Sequence, residues 1–138
     1  MKLPDPQSSP FSALISDIEK GLIKIPQFQR DFVWDLTKSA NLMDSIVKGY
    51  PIGTFIFWKT KERLRSIRNI GGVELPEPIA GDFVYFVLDG QQRLTSLFAS
   101  LKGITIQREN GNEDDYSKMY LDLEASEDEL IEIGRAHV

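Results

Sequence analysis

Residues 86–97 read FVLDGQQRLTSL, a pattern that predicts a strand passing directly into a helix. The apolar run Phe83–Leu88 is rich in aromatic and β-branched residues, as expected of a strand inside a sheet. From Gln91 onward apolar residues recur at helical spacing, and Gly103 is placed to end the helix. Only Asp89-Gly90 separates the two elements, so the turn between them must be tight.

Two further helices are predicted ahead of this unit. Apolar residues from Phe11 onward repeat at helical spacing, and Gly21 is placed as the C-terminal stop. Asp35 or Thr37 can cap the second helix, which ends at Gly49.

Further strands are predicted on both sides of the second helix and near the C-terminus. Ile23–Ile25 is a short candidate, and Gly53–Trp58 is apolar enough for a central strand buried on both faces. Ile104–Ile106 and Met119–Leu123 are expected to form a hairpin around the polar loop between them. The segment Ser126–Ile131 is expected to open an acidic helix.

The composition limits both the size and the chemistry of the protein. With 138 residues, 41% of them hydrophobic and 27% charged, the chain suits one folded domain. It has no cysteine and one histidine, His137, which excludes disulfides, thiolate chemistry and a histidine metal cluster. Any chemistry must therefore use carboxylates, amides, hydroxyls and arginines.

The sequence contains no membrane or secretion signal. No apolar run approaches the roughly 18 residues that a membrane span needs. Residues 1–10, MKLPDPQSSP, lack the basic and apolar regions of a signal peptide and are interpreted as an extended lead-in. We therefore expect a cytoplasmic location and no membrane partner.

The net charge of −5 is unevenly distributed. Residues 109–132 hold ten acidic residues and one lysine, whereas residues 1–108 hold 14 basic and 11 acidic residues. The body of the chain is thus mildly basic, which leaves phosphate ligands and DNA possible as partners.

The last six residues, Ile133–Val138, read like a translated DNA-sequencing adapter. We interpret them as an artefact lying outside a domain that spans residues 11–132 and is incomplete at its C-terminus. On this interpretation the histidine is not native and the natural protein continues past Glu132. A genuine short C-terminus is the alternative.

The Asp89-Gly90 turn is the stronger candidate site. A helix that begins directly after a strand presents unpaired N–H groups and the positive end of its dipole to one point, which suits an anion. Arg93 could bind phosphate oxygens, Gln91 and Gln92 could donate through their amides, and Asp89 could cap the helix, orient Arg93 or hold Mg²⁺. The alternative is that Asp89 is only a cap and both glutamines are solvated.

The second candidate is IPQFQRDFVW, residues 25–34. Pro26 favours an extended backbone, and Arg30 is flanked by Phe28, Phe32 and Trp34, which would desolvate it enough to bind phosphate or stack on a ring. The alternative is a structural Arg30, paired with one of the neighbouring carboxylates Asp31, Asp35 or Asp44.

A run of alternating basic residues is a third, weaker candidate. If the preceding strand continued, these side chains would share one face, as contacts to a DNA backbone require. Solvated charge on a hairpin is the alternative. The residues are Lys59, Lys61, Arg63 and Arg65.

Three blocks in this order, IPQFQRDFVW, LMDSIVKGYPIG (residues 42–53) and VLDGQQRLTSL (residues 87–97), resemble the N-terminal domain of GmrSD-type, modification-dependent restriction enzymes. The resemblance implies the α+β class and a ParB/sulfiredoxin-like fold, a small mixed β-sheet flanked by helices. It also implies binding and hydrolysis of a nucleoside triphosphate, with Mg²⁺. In the full-length protein, a phage-defence enzyme, a C-terminal HNH nuclease domain would cut modified DNA; this chain lacks the HNH histidines.

The resemblance assigns roles to the matching residues. The proposed catalytic residues are Asp89, which would also hold Mg²⁺, Gln91 and Gln92; the proposed nucleotide-binding residues are Gln29, Arg30, Gly90 and Arg93. A different class remains open, in which the DGQQR turn is architectural and the chain is a ParB-like DNA-binding or interaction module without hydrolysis.

Overall fold

A four-stranded mixed sheet forms the centre of the computed structural model, which describes residues 8–63, 67–108, 110–121 and 131–133. The helices are α1 (Phe11–Glu19), α2 (Leu36–Val47) and α3 (Gln91–Lys102). The strands are β1 (Ile23–Pro26), β2 (Ile56–Thr60), β3 (Ile67–Asn69), β4 (Val84–Asp89), β5 (Thr105–Gln107), β6 (Glu113–Asp115), β7 (Met119–Leu121) and β8 (Ile131–Ile133). The chain is a single small α+β domain, as the sequence led us to expect.

The strand order of the sheet is β2-β4-β1-β3. The two inner strands, β1 and β4, are parallel, with Ile23 opposite Tyr85, whereas β2 and β3 run antiparallel to their neighbours. Strands β1 and β4 therefore finish, and β2 and β3 begin, at one end of the sheet. This end is called here the carboxyl end of the sheet.

One face of the sheet packs against α1 and α3. Ile18 of α1 and Leu94, Leu97 and Phe98 of α3 join Val87 of β4 in one apolar cluster. Burial of these side chains fixes α3 directly behind the strand that precedes it, and α2 packs on the outer side of α3.

The three helices predicted ahead of Gly103 are confirmed as α1, α2 and α3, and their ends follow from local chemistry. Asp35 is the N-cap of α2, with its carboxylate accepting from the Lys38 backbone N–H at 2.8 Å. Gly103, at φ 65°, ends α3 in the left-handed conformation that glycine adopts most easily.

The prediction that Gly53–Trp58 is a central strand was wrong. The strand begins only at Ile56 and is an edge strand of the sheet, in which Ile56 and Trp58 are 44% and 38% exposed. Its apolar residues still find contacts on one side, since the Trp58 ring lies 5.8 Å from that of Phe86. An apolar run therefore indicated a strand but not its place in the sheet.

The predicted pairing of Ile104–Ile106 with Met119–Leu123 was also wrong. Strand β5 pairs with β6, and Met119–Leu121 pairs with β8 instead. The reason is a tight turn at Asn110-Gly111, a dipeptide that favours hairpins, closed by the Arg108 N–H donating to the Asn112 carbonyl at 2.8 Å. The predicted acidic helix at Ser126–Ile131 lies outside the described residues except for Ile131, which is in β8.

In the part of the chain that the structure describes, no helix is both long and apolar enough to span a membrane.

Candidate functional site

All three motif blocks meet at the carboxyl end of the sheet. The first block continues from the end of β1, the second leads into β2, and the third contains the end of β4 and the start of α3. Loops beyond the carboxyl ends of parallel strands are the usual ligand-binding position in open sheets of this kind. The sequence predicted the blocks separately, and the topology brings them together.

Gln92 joins the third block to the first. Its side-chain oxygen accepts from the backbone N–H of Val33 at 2.8 Å, and its amide nitrogen donates to the Asp31 carbonyl at 2.9 Å and to the Gln91 side-chain oxygen at 2.5 Å. Gln91 and Gln92 are only 5% and 8% exposed. The alternative that both glutamines are solvated is therefore wrong, and Gln92 positions the loop that carries Arg30.

Arg93 joins the third block to the second. Its guanidinium donates to the carbonyls of Ile52 at 2.7 Å and Thr54 at 2.8 Å, and lies 5.0 Å from the centre of the Phe55 ring. Two of its five N–H groups are thus committed to the loop before β2. Arg93 therefore holds the loop before β2 against the turn, and its other N–H groups can donate to a ligand.

Gly90 is required at the turn for two reasons. Its φ of 94° is unfavourable for any residue with a Cβ, and a Cβ there would lie 2.5 Å from the Phe55 ring. The same Phe55 stacks on Arg93, so the turn, the aromatic ring and the guanidinium fit together without spare room.

The first turn of α3 has free donors. Gly90 is the N-cap and no side chain caps the helix, so the prediction that Asp89 could act as the cap is wrong. The first helical hydrogen bond is from the Leu94 N–H to the Gly90 carbonyl at 2.9 Å. The three N–H groups before it, those of residues 91–93, have no partner within the helix and face the carboxyl end of the sheet.

Arg30 and Asp89 are exposed at this end, and among the described residues neither side chain makes a hydrogen bond or an ion pair. The interpretation of Arg30 as a structural ion-pair partner is therefore wrong, because Asp31 pairs with Arg68, Asp35 caps α2 and Asp44 pairs with Lys48. Both charged groups remain available to a ligand.

The aromatic residues expected to desolvate Arg30 do not do so. Phe32 lies under the guanidinium of Arg108 at 4.9 Å, Trp34 under Lys38 at 4.8 Å, and Phe28 is 73% exposed. The backbone turns directly after β1, with the Gln29 N–H donating to the Pro26 carbonyl at 3.1 Å, so the extended backbone expected at Pro26 does not continue to Arg30.

The remaining residue of the first block, Gln29, lies over the end of β4. Its amide nitrogen donates to the Leu88 carbonyl at 3.1 Å, directly before Asp89. Arg68, at the start of β3, holds the same loop by donating to the Gln29 carbonyl and the Asp31 carboxylate. The hydrogen bond from Gln29 to the Leu88 carbonyl places this loop beside the DGQQR turn.

Sequence reasoning missed two arginines that build the site. Arg68 follows the predicted basic run by three residues, a weak signal, and Arg108 gave none. Arg108 donates to the carbonyls of Phe32 at 2.9 Å and Trp34 at 2.7 Å and pairs with Asp114. The loop 27–35 is therefore held from both sides.

The described residues of the basic run are exposed, but they also contact the protein itself. The strand ends at Thr60 and does not continue through the run, and Lys59 and Lys61 both lie over the Phe83 ring, at 4.6 and 4.9 Å. Arg63 donates to the carbonyls of Ile79 and Asp82 at 3.1 and 2.9 Å and holds the loop before β4. Arg65 lies outside the described residues.

The fold and the site define an α+β domain in which three sequence blocks converge on a strand–glycine–helix turn. The chain belongs to the family described as "GmrSD restriction endonuclease, N-terminal domain", whose profile matches residues 11–136.

One similar curated protein is the uncharacterized protein MJ0686 of Methanocaldococcus jannaschii, which is 35% identical over 92 residues. The match covers 64% of this chain and 16% of that protein, so this chain corresponds to a small part of its relative. No solved structure matches the chain.

Proposed function

We propose that this domain binds and hydrolyses a nucleoside triphosphate at the carboxyl end of the sheet, as part of a restriction system. The observation that carries the proposal is the uncapped first turn of α3, whose free N–H groups lie behind the Gly90 turn. Oriented N–H groups and the helix dipole stabilise phosphate oxygens without any charged side chain.

Arg30 supplies the positive charge for the phosphates. It is exposed, lacks a partner among the described residues, and belongs to a loop that Gln92, Arg68 and Arg108 hold beside the turn. A planar guanidinium suits phosphate because it can donate two parallel hydrogen bonds. The Arg93 guanidinium also lies at this turn, because a Cβ at Gly90 would be 3.3 Å from its Nη2 atom.

The residues present fit one bound Mg²⁺. The described residues contain no group of three or more acidic or histidine side chains suited to a metal. Mg²⁺ in nucleotide sites commonly takes one or two carboxylates and completes its shell with phosphate oxygens and water, and Asp89 can be that carboxylate. When bound, the ion would neutralise charge on the phosphates.

Gln91 is the residue best placed to orient a water molecule. Its side-chain oxygen is held by Gln92, while its amide nitrogen has no hydrogen-bond partner among the described residues. Phosphoryl transfer depends mainly on positioning and charge stabilisation, which amides and arginines provide. The ParB-like relationship and the cleavage of modified DNA by a nuclease domain of the full-length protein are parts of the same proposal.

Calorimetric titration of this chain with each nucleoside triphosphate and Mg²⁺ tests the site. Arg30→Ala should weaken binding about tenfold or more, because a charge-assisted hydrogen bond to phosphate is lost. Arg93→Ala is a poorer test, since it also releases the loop before β2.

Lys20→Ala is the matched control, because Lys20 is an exposed cation before the start of β1, at the opposite end of the sheet. It should leave the affinity unchanged. Equal affinities of the Arg30→Ala variant and the original chain, or no binding by the original chain, would refute the proposal.

A further inference from the structure

A cleft of about 940 Å³ lies beside the proposed triphosphate site. Its walls are the loop 31–33, the end of β3 with residues 71–73, the side of α3 that carries Gln91 and Thr95, and the β5–β6 hairpin. The volume falls within the range of small-molecule sites, about 300–1,000 Å³. Of the residues assigned above to the phosphates and the attacking water, Gln91 alone lines the cleft.

The charges in the walls of this cleft cancel. Of the described lining residues only four are charged, and they form two ion pairs, Arg68 with Asp31 and Arg108 with Asp114. Both arginines also donate to backbone carbonyls. Neither is free to receive a phosphate, so the cleft favours an uncharged ligand.

The groups that remain are amides around an apolar floor. The amide nitrogen of Gln91, the side-chain oxygen of Gln107 and the side chain of Asn112 line the cleft and have no hydrogen-bond partner among the described residues. Ile25 and Ile106 supply buried apolar surface. A cleft with apolar walls and with hydrogen-bond donors and acceptors at its rim fits a flat heterocyclic ring.

Some residues that line the cleft are adjacent in the sequence to residues of the proposed phosphate site. Gln91 follows Gly90, and Asp31 follows Arg30, so two of the four walls of the cleft begin one residue from a proposed phosphate contact. We infer that the cleft holds the nucleobase of the nucleotide whose triphosphate lies at the carboxyl end of the sheet. This inference rests on the proposed function.

The test compares nucleoside triphosphates with inorganic tripolyphosphate, which carries the phosphates and no base. Gln107→Ala combined with Asn112→Ala removes two exposed amides from the hairpin with little effect on the core. It should weaken the best-bound nucleoside triphosphate about fivefold or more, as expected for lost hydrogen bonds, and leave tripolyphosphate affinity unchanged. Asn41→Ala, on the exposed side of α2, is the control and should change neither affinity.

A second variant, Asn112→Trp, places a bulky ring at the cleft and should also weaken the nucleotide selectively. Thermal unfolding of each variant is measured to check that the domain remains folded. If nucleotides and tripolyphosphate bind equally well, or the hairpin variants change both affinities alike or neither, the base site is refuted while the phosphate site stands. If the original chain binds neither ligand, the proposed function fails and the base site with it.

Discussion

Two side chains of the DGQQR motif hydrogen-bond to backbone groups of the domain itself. Gln92 and Arg93, adjacent in the chain, hold the loops on opposite sides of the DGQQR turn through carbonyl and N–H groups. The architectural and the nucleotide-binding interpretations of this motif are therefore not exclusive, since positioning these loops is what brings Arg30 beside the turn.

Replacing Gln92 should expose its positioning role. Gln92→Met keeps the volume and removes the hydrogen bonds, which leaves the Val33 N–H and the Asp31 carbonyl without this partner. We expect a loss of about 1–3 kcal/mol in the free energy of unfolding, measured by urea denaturation. Gln27→Met, at an exposed position of the same loop, should change it by less than about 0.5 kcal/mol. Similar losses in the two variants would contradict this role.

Gly90 can be tested against a glycine with nearly the same backbone. Gly90 and Gly81 have φ angles of 94° and 95°, but a Cβ at Gly81 would meet nothing within 4 Å, whereas one at Gly90 would meet Phe55 at 2.5 Å. Both alanine variants carry the cost of a positive φ. Gly90→Ala should lose about 1–3 kcal/mol more in urea denaturation, because of the added clash. Equal losses would show that Phe55 moves aside freely.

At the scale of elements, a buried hydroxyl network connects the helices to the hairpin. The Ser39 hydroxyl of α2 lies 2.8 Å from that of Ser96 of α3 and 2.9 Å from the hydroxyl of Tyr116, which follows β6. All three side chains are buried. The network fixes the hairpin, and with it one wall of the cleft, relative to α3.

This network predicts a pH dependence of stability. Burial raises the pKa of Tyr116 above its ordinary value of 10.0, and the hydrogen bond with Ser39 only partly opposes this. The folded protein therefore keeps the phenol proton where the unfolded chain loses it, so this stability is complete below about pH 10 and is lost as the pH rises further. In urea denaturation, the difference between the original chain and Tyr116→Phe should shrink above about pH 10.

Tyr120→Phe serves as the comparison for this measurement, because Tyr120 lies in β7 and is 43% exposed. Its difference from the original chain should stay constant across the same pH range. A Tyr116→Phe difference that is also independent of pH would contradict the prediction.

For the whole molecule, the charge distribution leaves a DNA-binding surface as the competing class of function. Lys59, in the edge strand β2, and Lys61, directly after it, are exposed. Because β2 begins at the carboxyl end of the sheet, both lysines lie toward the opposite end. If this surface contacts the DNA backbone, Lys61→Glu should lower affinity and reduce the slope of log affinity against log salt by about one or more.

Lys118→Glu makes the same change of charge at an exposed position after β6 and should have a smaller effect. Fluorescence anisotropy with duplex DNA over a range of salt concentrations measures both variants. Equal effects of the two variants would indicate a response to net charge alone and would exclude this surface.

Local signals were sufficient for much of the fold. The spacing of apolar residues, the Asp35 cap and the glycine stops predicted α1, α2 and α3, and the strand–turn–helix unit around Gly90, because each signal acts within a few residues. The same signals could not predict the position of Gly53–Trp58 in the sheet, because an apolar edge strand and an apolar central strand have similar sequences.

The amino-acid sequence by itself determined the helices, the turn at Asp89-Gly90 and the residue types available for chemistry. Only the tertiary structure decided what those residues contact, because the backbone partners of the Gln92 and Arg93 side chains lie 39 to 61 residues away in the chain. Among the described residues it also left the Arg30 side chain without a partner, and it placed the Phe32 and Trp34 rings against Arg108 and Lys38. Hydrogen-bonding capacity is a property of a side chain, whereas its partner is a property of the packing.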